Sequence, residues 1–466
     1  MMRQSCAINL CDSRVYIYAL PSISNGSATH RRGEQGTGVF FFYCFVFAAI
    51  GFRLIGGSQG MVSIAVRVYD PEKDLSATEA VDRLCDGGAT GQVSLCMDLL
   101  GDPASRVRHS PAYRMLVAET SGPVKEIVGV VRGSVKVVSC GRKMARQGGM
   151  LKKGHAPAEA SPIYTKVGYI LGLRVLPSHR RMGIALKLVE QMEEWFWKKG
   201  AEYAYMATTK GNKASLGLFT DRCGYSKFRT PSILVHPVFA HRLPVPLSIT
   251  VHRIHASDAE LIYRRRFAAT EFFPRDIDAV LANPLSLATL VAVPSGCAAA
   301  ERWPGAEAFL AAPPESWALA SVWDCGGVFQ LEVRGASRLR RAAAAATRMA
   351  DRVMPWLRIP SVPDLFRPFG AWFLYGIGGE GPAASVMTAA VWREAHNRAR
   401  GAAAVVATEV AEMEPLRQGI PRWRRLSGAE DVWCIKRLTE EYNYSAVGDW
   451  TKSAAGSSIF VDPREL

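Results

Sequence analysis

Six residues, Arg180-Arg181-Met182-Gly183-Ile184-Ala185, place a basic residue three positions before a glycine and a small residue two positions after it. They lie between a run expected to be a strand, Tyr164–Val175, and one expected to be a helix, Gly183–Lys199. Small residues at 183 and 185 let the main chain approach a ligand closely, and the N–H groups that open a helix have no partner inside it. Those groups point at whatever anion lies there, so the chemistry is a cradle for a pyrophosphate, with Arg180 and Arg181 as guanidinium partners. Such a hexamer arises by chance in about one chain in two of this length, so its context carries the argument. Pro177 ends the strand, and Leu186, Val189, Met192 and Phe196 share one helix face that can lie on a sheet and fix the N-terminus.

A second element follows at a suitable distance. Asn212 opens NKASLGLFTDRCGY (212–225), a helix with Ala214, Leu216, Leu218 and Phe219, closed by Gly224-Tyr225 before another strand.

The elements that must hold these loops alternate between strand and helix. VSIAVRVYD (62–70) has period-two apolar residues, and DLSATEAVDRLC (74–85) has helical spacing behind a capping Asp. Strands are expected at Tyr113–Glu119, Glu126–Val138 and Tyr203–Thr208, with a Gly-, Lys- and Ala-rich insertion from Gly141 to Pro162. A similar order returns after Pro246: SITVHRIHASDAELIYRRRF (248–267), two strands within Trp317–Val333, the strand Trp372–Ile377, a helix near Ser385–Ala399 and the strand Ala403–Val410. We read a tandem duplication of one α/β plan built on a mixed sheet; an unrelated α/β domain is the alternative for the second half. The division is an extension over 1–60, a first domain over 61–240 with its insertion near 141–162, a degenerate second domain over 247–440 and a C-terminal tail over 441–466.

Composition narrows the class. The 466 residues are 48% hydrophobic and 21% charged, which fits a globular chain with more than one core and excludes disordered and polytopic membrane classes. The apolar run Val39–Phe52 is short of the roughly 20 residues a membrane span needs. The ten cysteines are scattered, with no C-x-x-C pair and no clustered His, against a disulfide framework or a metal module and for a reducing compartment. A net charge of +15 attracts polyanions, but its Lys and Arg residues are spread through both halves and form no nucleic-acid motif.

The loop and helix of 168–208 together with 212–225 make residues 62–235 resemble the GCN5-related N-acetyltransferases, the GNAT superfamily. GLRVLPSHRRMGIALKLVEQMEEWF, CGYSKFRTPSILVHPVFAHR and TEFFPRDID (270–278) make nearly everything after Met61 similar to the plant hookless-type N-acetyltransferases. The resemblance implies a GNAT fold, acetyl-CoA as cosubstrate with no metal, and an amine acceptor on a histone, another protein or a small molecule. It further implies a nuclear or cytoplasmic protein with a part in growth regulation. Carried over residue by residue, the cofactor contacts fall on the main chain of Leu173 and Val175, on Arg180, Arg181, Gly183, Ile184 and Ala185 around the pyrophosphate, and on Asn212 and Phe219 in the later helix.

Catalysis departs from the family pattern. Relatives commonly use a Glu on the strand before the phosphate loop and a Tyr on the later helix; here Tyr164–Val175 has no acidic residue. The Tyr position is Phe219 counted from Asn212 and Thr220 counted from Gly224, a one-residue mismatch that points to a helix irregularity or a local insertion. The candidates left are Tyr225, a Glu at a hairpin end (Glu126, with Glu119), and His109, whose ordinary titration range suits proton exchange at neutral pH. Proximity and main-chain donors could supply much of the rate without them. A CoA-binding scaffold without turnover is the competing reading. In the second half, Gly381-Pro382-Ala383 aligns with Gly183-Ile184-Ala185, and Pro382 removes an N–H, so no cofactor is expected there.

Overall fold

The computed structural model describes residues 63–466 except 87–92, 123–124, 145–160, 425, 428–429 and 440–447. The 1–60 extension with its apolar run, most of the expected insertion near 141–162 and the start of the expected tail lie outside the described residues. No described helix is long and apolar enough to cross a membrane.

The first half supplies the strands β1 (Ser63–Val68), β2 (Ser94–Asp98), β3 (Ala112–Ser121), β4 (Ile127–Met144), β5 (Ser161–Val175), β6 (Tyr203–Thr209), β7 (Ser226–Arg229) and β8 (Ser232–Pro237). Its helices include α1 (Pro71–Asp86), α2 (Ser105–Arg108), α3 (Ile184–Lys198) and α4 (Lys213–Gly217). The second half supplies β9 (Ile249–Ile254), β10 (Ser286–Pro294), β11 (Trp317–Asp324), β12 (Gln330–Arg334), β13 (Ala371–Glu380), β14 (Val405–Val410) and β15 (Asp431–Arg437). The expected strands and helices are present, most within a few residues of their predicted ends, while β4 runs six residues further; β2, β8, β10 and β15 are strands that the sequence did not predict.

A seven-stranded sheet runs β1-β3-β4-β5-β6-β15-β7, and a six-stranded sheet runs β8-β14-β13-β11-β10-β9. In each, one parallel pair, β5–β6 or β13–β14, interrupts an otherwise antiparallel ladder. In each, a long helix, α3 or Ala384–Ala399, makes the crossover between the parallel strands.

The expected boundary between 240 and 247 does not separate two closed sheets. β8 pairs with β14 in the second sheet, and β15 slots between β6 and β7 in the first. The reason lies in their side chains. Val432, Trp433, Cys434 and Ile435 are consecutive and all buried, a pattern that requires cover on both faces and therefore a central position. β12 leaves its neighbour β11 and pairs with β2, tying the halves together a third time. The end of the expected 441–466 tail is core: Trp450, Phe460 and Val461 are buried, and the main-chain N–H of Phe460 donates to the Glu271 carbonyl oxygen. One hydrophobic cluster runs from Phe196 under α3 through Tyr205, Phe272, Trp433 and Trp450 to Phe460.

Of the expected α3 face, Val189, Met192 and Phe196 are buried and Leu186 is half-buried, and Leu188, which the spacing did not single out, is buried with them. Two glycines make the contact close. A Cβ on Gly133 would collide with Met192, and one on Gly168 with the Phe196 ring. Larger residues there would lift the helix, and its N-terminus, off the sheet.

The link after β8 is held by histidines. His396 accepts from the Phe239 main-chain N–H at 2.8 Å, and His241 lies 2.6 Å from Asp351. Burial lowers both His236 and His396 to about 4 from the ordinary 6.5.

Two outcomes are expected. A fragment of residues 61–240 should be aggregated or insoluble, because it lacks β15 and leaves the facing edges of β6 and β7 open; co-expression with 241–466 should restore solubility. A monodisperse, folded 61–240 fragment would contradict the exchanged topology. For the histidines, the unfolded chain binds protons more readily between pH 6.5 and 4, so stability is complete above 6.5 and declines as pH falls through this window. Denaturant midpoints across that range should show the decline, and His396→Gln should flatten it.

Candidate functional site

β5 and β6 pair from Val167↔Tyr203 to Ile170↔Met206, and there their ladder ends. Beyond it β5 stays with β4, and β6 stays with β15, so the two strands part. A bulge in β5 accompanies the parting. Gly172 has φ +58°, and the β4 register skips so that Leu173 falls outside it. Arg132 fixes the bulge from beneath: its guanidinium donates to the Gly172 carbonyl oxygen at 3.3 Å and the Pro103 carbonyl oxygen at 2.5 Å, and pairs with Asp82 of α1 at 2.6 Å. Arg174 meets the same carboxylate at 3.1 Å.

The cleft so formed is lined by Arg106, Tyr169, Leu171, Leu173, Ser215 and Phe219, among others. It encloses about 20 Å³, room for a water, so a larger group entering it must move the walls. Leu173 and Phe219, expected at the cofactor, are therefore at the cleft. Val175 lies at the end of its strand, with its carbonyl oxygen taking the Arg180 Nε–H at 3.2 Å and the Cys85 thiol at 3.5 Å.

The chain then turns through Pro177–His179 into an exposed bend. Arg181 has φ +65°, uncommon for a side-chain-bearing residue, and Gly183 has φ +77° as the N-cap of α3. No side chain caps this helix, and a Cβ built on Gly183 would have nothing within 4 Å. Arg180, Arg181 and Gly183 are exposed, Ala185 is half-buried, and Ile184 is buried against the sheet, where it anchors the first turn. The bend thus offers unpartnered N–H groups and two guanidinium groups to solvent.

The corresponding bend of the second half is closed. The helix starts set Ala383 opposite Gly183 and Gly381 opposite Arg181, two residues away from the alignment the sequence suggested. A Cβ on Gly381 would collide with the Glu315 carbonyl, and the Ala383 N–H is taken by Ser316 Oγ at 3.0 Å. Within β13, Gly376 and Gly378 are covered by the Tyr263 and Phe267 rings. Protein fills what the first half leaves open.

Asn212 caps α4: its Oδ1 accepts from the Ser215 N–H at 3.1 Å, and its Nδ2 donates to Thr208 Oγ1 of β6 at 3.1 Å. It positions the helix. The predicted irregularity is a π-turn over Leu218–Arg222, with the Cys223 N–H donating to the Leu218 carbonyl oxygen. The extra residue it accommodates explains why counting from either end gave different positions. Phe219 is buried, and Thr220 donates to the Leu216 carbonyl oxygen.

The three catalytic candidates do not converge. Tyr225 is in the core, edge-on to Phe219 at 5.1 Å, and burial followed by Glu193 of α3 drives its phenol far above the ordinary range. A buried phenol facing a helix carboxylate, away from the cleft, is a packing group, which corrects the expectation that it acts as an acid. Glu126 is exposed at the β3–β4 turn, in a groove of about 790 Å³ with Arg67, Glu119 and Leu176. Glu119 is committed to Arg67 at 2.9 Å. His109 packs edge-on to Trp323 at 6.0 Å and within 3.1 Å of Asn283; burial, then Arg108 and Arg464, lowers its proton affinity and leaves it neutral near pH 7. The group that does reach the cleft from this side is Arg106, three residues before His109 and 5% exposed. Its place in SRVRH beside a candidate histidine was the one signal the sequence offered.

Comparison with known proteins agrees with this geometry. Residues 96–225, which carry the cleft, the bend and the capped helix, match the acetyltransferase (GNAT) family. The probable N-acetyltransferase HLS1-like of Arabidopsis thaliana is 57% identical over 416 residues, 87% of this chain and 100% of the relative. The probable N-acetyltransferase HLS1 of the same plant is 56% identical across 86% of this chain and 99% of its own length. The acetyl transferase GW6a of Oryza sativa subsp. japonica is 40% identical across 87% and 98%. Among solved structures, a GCN5-related N-acetyltransferase from Kribbella flavida is 13% identical over 81% of this chain and 72% of its own, with a TM-score of 0.40. Saccharomyces cerevisiae N-myristoyltransferase with bound myristoyl-CoA is 8% identical over 80% and 79%, with a TM-score of 0.48. Identity sustained along nearly the full length of these plant relatives, with the family match falling on the cleft and the exposed bend, shows that the chain belongs to the GNAT family of N-acetyltransferases, among its hookless-type members.

Proposed function

We propose that the chain transfers the acetyl group of acetyl-CoA to an amine at the cleft between β5 and β6. The observation that carries this reading is the contrast between the two bends: the one at Gly183 is open where a Cβ would stand, and the one at Gly381 is filled by the chain itself. The α3 N-terminus with Arg180 and Arg181 suits the diphosphate, because N–H groups and guanidinium charges both favour an anion there. Residues from Leu171 to Leu173, where β5 has lost β6 as a partner, suit the amide-bearing pantetheine arm. The acetyl-CoA supplies an activated carbonyl. The chain's share is to hold the carbonyl against main-chain donors of the bulge, exclude water with Tyr169, Leu171 and Phe219, and admit an unprotonated amine. The second half, with its bend closed, shapes the acceptor side through Asn283 and Trp323 beside His109.

A second reading, binding of CoA without turnover, is favoured by one observation: Phe219 stands in the cleft where a phenol could have protonated the leaving thiolate. Thiol release by the full chain with a panel of histone peptides and polyamines separates the two, since binding alone predicts no acceptor-dependent CoA production.

The diphosphate assignment has its own tests. Gly183→Glu should weaken acetyl-CoA binding about tenfold or more, through strain at positive φ and a carboxylate in the anion site; unchanged affinity in calorimetry overturns it. Arg181→Gly should relieve the left-handed conformation yet weaken binding severalfold. A melting temperature that does not fall, together with a poorer Kd, is the expected pair of results.

A further inference from the structure

The cleft is joined on both walls to one short segment at the far end of the described chain. From the α2 side, Arg106 Nε donates to the main-chain carbonyl oxygen of Leu466 at 2.7 Å. From the sheet, Tyr169 of the cleft packs, tilted, against Tyr205 of β6 at 4.7 Å, and the Tyr205 hydroxyl donates to Glu465 Oε1 at 2.5 Å. Glu465 is 2% exposed. Lys136 of β4 lies 2.8 Å from the same Oε1 and 3.3 Å from Asp462, and Arg464 pairs with Asp462 and Asp276, each at 2.7 Å. Opposite charges therefore clamp the segment in place, and together with Arg106 they are the charged groups these contacts place around Glu465.

One atom of this cluster is left over. Glu465 Oε2 is buried and takes no hydrogen bond from any described residue. An orphaned carboxylate oxygen costs free energy that an apolar residue would avoid, and a catalytic role is one of the reasons a native chain keeps such a group. The site also has a corresponding need. β5 carries no acid, Tyr225 is in the core, Glu126 is exposed to solvent at the β3–β4 turn, and His109 is engaged by Asn283 and Trp323.

We propose that Glu465 is the proton acceptor of the transfer, with Tyr205 and Lys136 holding its Oε1 so that Oε2 is presented toward the acceptor side of the cleft. This rests on the acetyltransferase reading above. The amine nitrogen forms its bond to the thioester carbonyl carbon, the carbon–sulfur bond breaks with its electron pair leaving on the CoA thiolate, and the surplus N–H proton passes to Oε2. The glutamic acid then returns that proton to solvent or to the thiolate, which closes the balance without any other reactant.

The test uses the full chain. Acetyl-CoA affinity is measured by calorimetry, and thiol release is measured with the best acceptor of the histone-peptide and polyamine panel. Glu465→Gln keeps the shape and still accepts from Tyr205; it should lower kcat about 100-fold while leaving acetyl-CoA affinity within about twofold. Glu465→Asp should recover part of the lost rate, because it restores a carboxylate at a shorter reach. Tyr205→Phe retains the Lys136 pair and guards against simple misfolding; it should lower kcat less than Glu465→Gln does. Turnover by Glu465→Gln within threefold of the unmodified chain, roughly the size of ordinary packing effects on rate, overturns this inference and leaves the transferase reading intact. Parallel loss of acetyl-CoA affinity in Glu465→Gln and Glu465→Asp makes the residue structural and also overturns it. If the unmodified chain binds acetyl-CoA but releases no thiol with any acceptor, both readings fall together.

Discussion

A buried guanidinium sets the shape of the site. Arg132 joins the carbonyl at the β5 bulge, the carbonyl before α2 and the carboxylate of α1, so three elements around the cleft share one cation. A charge with 2% exposed side chain is costly to bury unless its hydrogen bonds are satisfied, and here main-chain acceptors and Asp82 satisfy them together. The bulge turns Leu173 out of the β4 register, and the parallel ladder to β6 ends just before it.

The same economy of contacts binds the two sheets into one body. Each half gives a strand to the other, and the strand that arrives in the first sheet, β15, pairs along the edge of β6 and sets Trp433 beside Tyr205. Residues that hold the cleft's deeper wall therefore come from both ends of the sequence. Glu271 illustrates the dependence. It pairs with Arg229 at 2.7 Å, takes the Trp450 indole N–H at 2.8 Å and accepts the Phe460 N–H on its main chain, joining the end of the first half, the second half and the final segment.

Two bends with the same position in the fold have opposite fates for a local reason. Before α3, positive φ at Arg181 and Gly183 leaves the helix start uncapped and exposed. Before Ala384–Ala399, a serine hydroxyl takes the free N–H, and aromatic rings press on the glycines of the preceding strand. A helix N-terminus is an anion site only while its N–H groups are unspent.

The sequence by itself determined what depends on neighbours along the chain. The bend at 180–185, the buried face of α3 and the Asn212 cap were legible because glycine placement, helical periodicity and capping are local properties. Even the π-turn left a trace, as a one-residue discord between two ways of counting. Tertiary structure alone decided which groups meet. Tyr225 was drawn into the core by its neighbours on α3 and β15, the presumed tail became the floor between the sheets, and β15 crossed to the other sheet because four consecutive buried side chains need cover on both faces. Contacts such as Tyr205 with Glu465, 260 residues apart, are set by burial and charge pairing in the folded state, and no local pattern encodes them.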